Sequence, residues 1–67
     1  MRKRVNDAIA VFIQNTVDFP NAFNTWDSLA EAYMIGDKAS AIKYYKKSLE
    51  LNPDNTNAVQ KLKELGG

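Results

Sequence analysis

The chain has 67 residues, with nine lysines and arginines against eight aspartates and glutamates, and it holds neither cysteine nor histidine. That length makes one small domain whose single core is marginal. The missing residue types exclude disulfide staples, thiolate or imidazole metal sites and every histidine-based catalytic arrangement. A formal net charge of +1, with 45% hydrophobic and 25% charged residues, is the balance of an ordinary globular chain and does not make nucleic acid the default partner. The longest apolar run, Ala8 to Ile13, is far too short to span a membrane. Asn6 and Asp7 lie between that run and the basic start Arg2-Lys3-Arg4, so no signal peptide is expected. A soluble chain compatible with the cytoplasm is the expectation.

Helical periodicity organises the sequence. Val5, Ala8, Ile9, Phe12, Ile13 and Thr16 keep the i, i+3, i+4 spacing of an amphipathic helix, predicted over about 3–17 and stopping before Pro20, which steers its predecessor away from helical angles. Arg2-Lys3-Arg4 stand at its N-terminus, where the helix dipole disfavours cations, so the first turn is expected to fray. A second helix is predicted over 22–35, with Asn21 as its N-cap and Trp26, Leu29, Ala30 and Tyr33 on one face. Gly36, tolerant of positive φ, and Asp37, a capping residue, then turn the chain into a third helix over 38–51. That helix buries Ala41, Ile42, Tyr45, Ser48 and Leu49. Asn52-Pro53-Asp54 ends it, and a fourth helix over 55–65 is built around Ala58, Val59, Leu62 and Leu65. Gly66-Gly67 reads as an appended end. No segment alternates with period two, so the fold class is all-α.

The chain also repeats itself. Ala8 recurs as Ala41, Ile9 as Ile42, Phe12 as Tyr45 and Pro20 as Pro53, each 33 positions on, and the same offset carries Asn24 to Asn57, Leu29 to Leu62 and Trp26 to Val59. The chain therefore reads as slightly more than one complete repeat, cut into two different halves.

Trp26-Asp27-Ser28-Leu29-Ala30-Glu31-Ala32-Tyr33 resembles the tetratricopeptide (TPR) signature W-x2-L-G-x2-Y, with Ala30 in place of glycine. Gly36-Asp37, Ala41-Ile42, Tyr44-Tyr45 and Leu49-Glu50-Leu51-Asn52-Pro53 look like the rest of one repeat. The resemblance implies antiparallel helical hairpins forming a fragment of a right-handed α-solenoid. Residues 1–20 would supply the second helix of a preceding half-repeat, 21–54 one complete repeat, and 55–67 a capping helix. Ala30 and Ala41 would be the small residues where helices cross closely. The turn before Gly36 is one residue shorter than the family's, and Lys63 stands at the place of Ala30, where it would block a further helix. The wording from Phe19-Pro20 through Gly36-Asp37-Lys38 is also similar to TPR-like tails at the C-termini of some bacterial serine hydrolases.

The family commonly binds peptides in a groove lined by the first helix of each pair. The matching residues are Asn24, Asp27, Glu31 and Met34 on the second helix, continued by Asn57, Gln60 and Glu64 on the fourth. Carboxylates beside amides and a methionine suit a basic or amphipathic segment. The same signs disfavour the acidic chaperone tails that other members grip, since Asp27 and Glu31 would repel a carboxylate. Each of these residues also fits an ordinary solvated helix face, and so short a groove offers little area. Lys43, Lys46 and Lys47 form a basic strip on the third helix; with Trp26 and the tyrosines committed to packing, no exposed aromatic is left to stack bases. Ser40-Ala41-Ile42-Lys43 matches the S-x-x-K element of penicillin-recognising enzymes, but four short helices supply no oxyanion hole or supporting shell. The reading is a non-catalytic protein-interaction module, without cofactor, metal, nucleic acid or membrane. Its alternative is a structural or self-assembling fragment with no ligand of its own. In that case Val5, Ile9, Phe12 and Ile13 of the first helix would bury their open face against a second copy, as a homodimer.

Overall fold

The computed structural model describes residues 2–67, with side chains described from Ala8 onward; the expectations for Val5 and for the basic start fall outside those side chains. Four helices follow one another, α1 (Arg2–Asp18), α2 (Phe23–Tyr33), α3 (Lys38–Leu51) and α4 (Thr56–Leu65). No strand occurs among the described residues, and the fold is all-α, as the periodicity predicts.

The helix ends show how each boundary is made. Pro20 has no N–H to continue α1, and the last bond of that helix runs from the Phe19 N–H to the Asn15 carbonyl at 2.8 Å. Asn21 is not the cap of α2. That position belongs to Ala22, extended at φ −92° and ψ 105°, which offers no side-chain acceptor. The turn is closed instead by Thr25, whose N–H and hydroxyl both donate to the Ala22 carbonyl, at 3.0 and 2.8 Å. Helix α2 also ends two residues before Ile35. Its final turn tightens through a bond from the Met34 N–H to the Glu31 carbonyl, as helix ends commonly do. The connection to α3 closes by the Asp37 N–H donating to the Tyr33 carbonyl at 2.8 Å, without any left-handed residue, so Gly36 is not used for positive φ.

Asp37 caps α3 as expected. One carboxylate oxygen accepts from the Ser40 N–H at 3.1 Å and the other from the Ser40 hydroxyl at 2.7 Å. These two bonds, the hydroxyl's first, hold its carboxyl below the ordinary aspartate range. Asn55 caps α4 through the Ala58 N–H. At the far end of α4 Gly66 and Gly67 terminate the helix. Gly66 is left-handed at φ 79°, its N–H donates to the Lys63 carbonyl, and the Gly67 N–H donates to the Leu62 carbonyl at 2.9 Å. That pair of bonds is a Schellman stop, which glycine alone adopts without a Cβ penalty.

Successive helices run antiparallel. Phe23 at the start of α2 meets Ser48 near the end of α3, while Met34 just beyond α2 meets Tyr45. Ala30, Ala41 and Ala58 are fully buried, one from each of α2, α3 and α4, and Tyr45 and Leu62 fill the space between them. Small residues there let the helix axes approach while the large ones interlock. Leu29 is buried as well, and each such leucine contributes roughly 1.5–3 kcal/mol. Trp26, placed by its spacing on the same packed face, is only half-buried. Its indole N–H donates to the Pro20 carbonyl at 2.9 Å, tying α2 to the turn before it.

Candidate functional site

The α2–α4 face is assembled around a polar junction. Ser48 is completely buried; its hydroxyl donates to the Phe23 carbonyl at 3.1 Å and accepts from the Asn55 side-chain amide at 2.8 Å. The same amide donates to one carboxylate oxygen of Asp27 at 3.0 Å, and Asn57 reaches that oxygen at 3.5 Å. Three helices therefore meet at four side chains, each held by another. Buried polar groups so paired fix one arrangement, because any slip would leave one of them desolvated and unbonded. The second Asp27 oxygen is buried with no hydrogen-bond partner among the described residues.

Around this junction the expected peptide-binding residues divide by role. Asn24, Glu31, Asn57, Gln60 and Glu64 are exposed. Asp27 is half-buried and anchored to α4. Met34 is half-buried against the core, where its sulfur accepts from the Tyr45 hydroxyl at 3.4 Å. Gln60 borders a separate depression with Thr56, Val59 and Lys63. The carboxylates nonetheless act on one point. The Tyr45 phenol is pushed up to about 12, first by burial and then by the negative charges of Glu31, Asp27 and Glu64. Two of these carboxylates stand on α2 and one on α4. Among the described residues the only ion pair is Lys61 with Glu64, at 4.0 Å.

The opposite side, between α1 and α3, carries a second surface. An open groove of about 430 Å³ runs over α2, with Ile13 and Thr16 on one wall and Lys43, Tyr44, Lys47 and Glu50 on the other. Its floor is Trp26 and Leu29. The Trp26 and Tyr44 rings stack with centroids 5.9 Å apart, and Tyr44 stacks in turn on Tyr33 at 5.6 Å. These three rings are half-buried and stacked on one another, and Tyr45 is fully buried. Of the residues proposed for self-association, Ile9 and Phe12 are half-buried. Phe12 borders Ser28, Glu31 and Ala32 of α2, and Ile9 borders Ala32 and Tyr33. Ile13 keeps 41% of its surface exposed and Val17, one turn on, 65%.

Sequence reasoning misses Asn55, which the periodicity places inside a helix. The signal is present in the repeat: Asn55 falls 33 positions after Ala22, the other cap, so an alanine in one copy is a hydrogen-bonding residue in the next. Among the described residues no group of three or more acidic side chains is arranged to hold a metal ion, and no helix is long and apolar enough to cross a membrane.

A stretch of 44 residues, 64% of the chain, is 46% identical to part of Superkiller complex protein 3 of Mus musculus. The Homo sapiens protein of the same name is 43% identical over 44 residues. That relative contains tetratricopeptide repeats, and the chain spans 3% of its length. No family model matches the chain, and no solved structure matches it.

Proposed function

We propose that the chain is a non-catalytic protein-interaction module of tetratricopeptide type, whose α2–α4 face receives a basic or amphipathic segment. The observation that carries this reading is Asp27 of α2 held by the amides of Asn55 and Asn57 at 3.0 and 3.5 Å, with Glu31 and Asn24 of α2 and Glu64 and Asn57 of α4 exposed. The partial similarity to a repeat-containing protein supports the module but names no ligand. Asp27 is anchored on this face by Asn55, while Glu31 and Glu64 are its exposed carboxylates, Glu64 beside Lys61 at 4.0 Å. An amphipathic peptide flanked by lysines, labelled and titrated with the protein, tests it. Glu31→Lys with Glu64→Lys alters exposed residues only, so helicity should persist while affinity falls about tenfold. Equal affinity of the variant for that peptide contradicts the reading.

The alternative, a structural unit associating through α1, is favoured by the exposure of Ile13 and Val17. Sedimentation over a concentration range separates the two, because a binding module stays monomeric and a self-assembling unit does not.

A further inference from the structure

The groove between α1 and α3 lies away from the acidic face and differs from it in sign. The 33-residue offset shows what is unusual about its α1 wall. Ala10, Ile13 and Val17 of α1 stand where α3 has Lys43, Lys46 and Glu50. The charged side chains that solvate α3 are thus replaced on α1 by an apolar stripe, and all three of its members are exposed. Ile13 lines the groove together with Lys43 and Lys47 of α3. One wall is therefore aliphatic, the other basic, and the floor aromatic.

We infer that this groove is a second docking site, taking an acidic amphipathic helix of a partner protein. Its apolar side would cover Ile13, Val17 and the edge of Trp26, and its carboxylates would meet Lys43 and Lys47. Neither lysine has an ion-pair partner among the described residues, so an incoming carboxylate displaces no existing pair. Glu50 sets the polarity. It lies at the C-terminal end of α3, so the partner's acidic residues belong towards Lys43 and Lys47 and away from that end.

Nucleic acid shares the requirement for cations and aromatic rings but fits the geometry less well. The Lys43 ammonium lies 5.5 Å from the centre of the Tyr44 ring and the Lys47 ammonium 5.7 Å from that of Trp26. Tyr44 also stacks on rings to either side. Tyr44 and Trp26 each have both a ring and a lysine ammonium nearby, so a base stacking there would compete with them.

Trp26 is the chain's single tryptophan and stands on the groove floor, so its emission reports occupancy. The probe is a synthetic helix of about four turns with leucines on one side and glutamates flanking them, alongside the same helix flanked by lysines and a single-stranded oligonucleotide. The glutamate helix should shift Trp26 emission saturably, and the effect should weaken with added salt. Lys43→Glu with Lys47→Glu should weaken its binding about tenfold or more, and so should Ile13→Asp, which changes a surface residue. Circular dichroism should show both variants helical. Glu31→Lys with Glu64→Lys should leave this binding intact, which separates the groove from the acidic face. The proposal is overturned if the lysine helix binds as well as the glutamate helix, if the oligonucleotide alone shifts the emission, or if the lysine reversals change nothing. It is equally overturned if Trp26 emission changes with protein concentration in the absence of any peptide, since the groove would then be filled by a second copy.

Discussion

Asn55 caps α4, bonds to the carboxylate of Asp27 and bonds to the buried hydroxyl of Ser48, so its side chain is the point where local and tertiary structure coincide. Replacing it with alanine loses a cap, ordinarily about 1 kcal/mol. It also removes the amide donor from Asp27, which keeps only Asn57 at 3.5 Å, and from buried Ser48, which keeps only its bond to the Phe23 carbonyl, at about 1–3 kcal/mol. Asn55→Ala should therefore cost roughly 2–4 kcal/mol in chemical denaturation, whereas Asn52→Ala, which loses only an exposed turn bond to the Asp54 N–H, should cost well under half as much. Tyr45 makes a second residue-scale prediction. Its folded phenol is raised to about 12 from the ordinary 10, so the native state favours the protonated ring. The stabilisation is complete below pH 10 and is lost as pH rises from about 10 towards about 12, because the unfolded chain ionises first. A stability curve measured by denaturant should fall across that window, and Tyr45→Phe should flatten the fall. Its hydroxyl has only a thioether to bond, so the same variant should cost little at neutral pH.

At the scale of elements, the ends of the helices are harder to read from sequence than the helices themselves. Apolar spacing marks Ile9, Phe12, Leu29, Tyr45 and Leu62 as inward-facing, because a 3.6-residue period leaves few other choices. Asp37 and Pro20 are also legible, since a carboxylate three residues before Ser40 and a missing N–H act locally. Asn21 misleads because cap preference is one term among several: Thr25 closes the turn from inside the helix and Ala22 takes the position. Gly66 is easily passed over because a glycine at a chain end carries no periodic signal, yet its left-handed backbone is what stops α4. Gly66→Ala should lower stability by about 1 kcal/mol through strain at positive φ, a shift of several degrees in Tm for a domain this small. No measurable shift would mean that the Schellman bonds contribute nothing.

The whole molecule is a flat stack, with Cα extents of 33 × 27 × 14 Å, and a thin stack exposes two broad sides. Asp27, Glu31 and Glu64 stand on α2 and α4 and Lys43, Lys46 and Lys47 on α3, so a formal charge of +1 averages over surfaces that differ in charge. Composition alone cannot show this, because net charge averages over faces that only the helix packing separates. The 33-residue offset is enough to propose the acidic stripe. It is not enough to show that Asp27 is bound inward or that Trp26 and Tyr44 remain accessible, since both depend on side chains distant in sequence.

Reception of a basic segment by the α2–α4 side is tested residue by residue through amide chemical-shift mapping. Titrating isotope-labelled protein with the lysine-flanked amphipathic peptide should move the resonances of Asn24, Glu31, Asn57 and Glu64 in one saturable process. Lys43, Lys46 and Lys47 should stay where they are. Saturable shifts centred on α3, or none at any residue up to peptide concentrations of about 1 mM, where even weak recognition would register, would contradict the account.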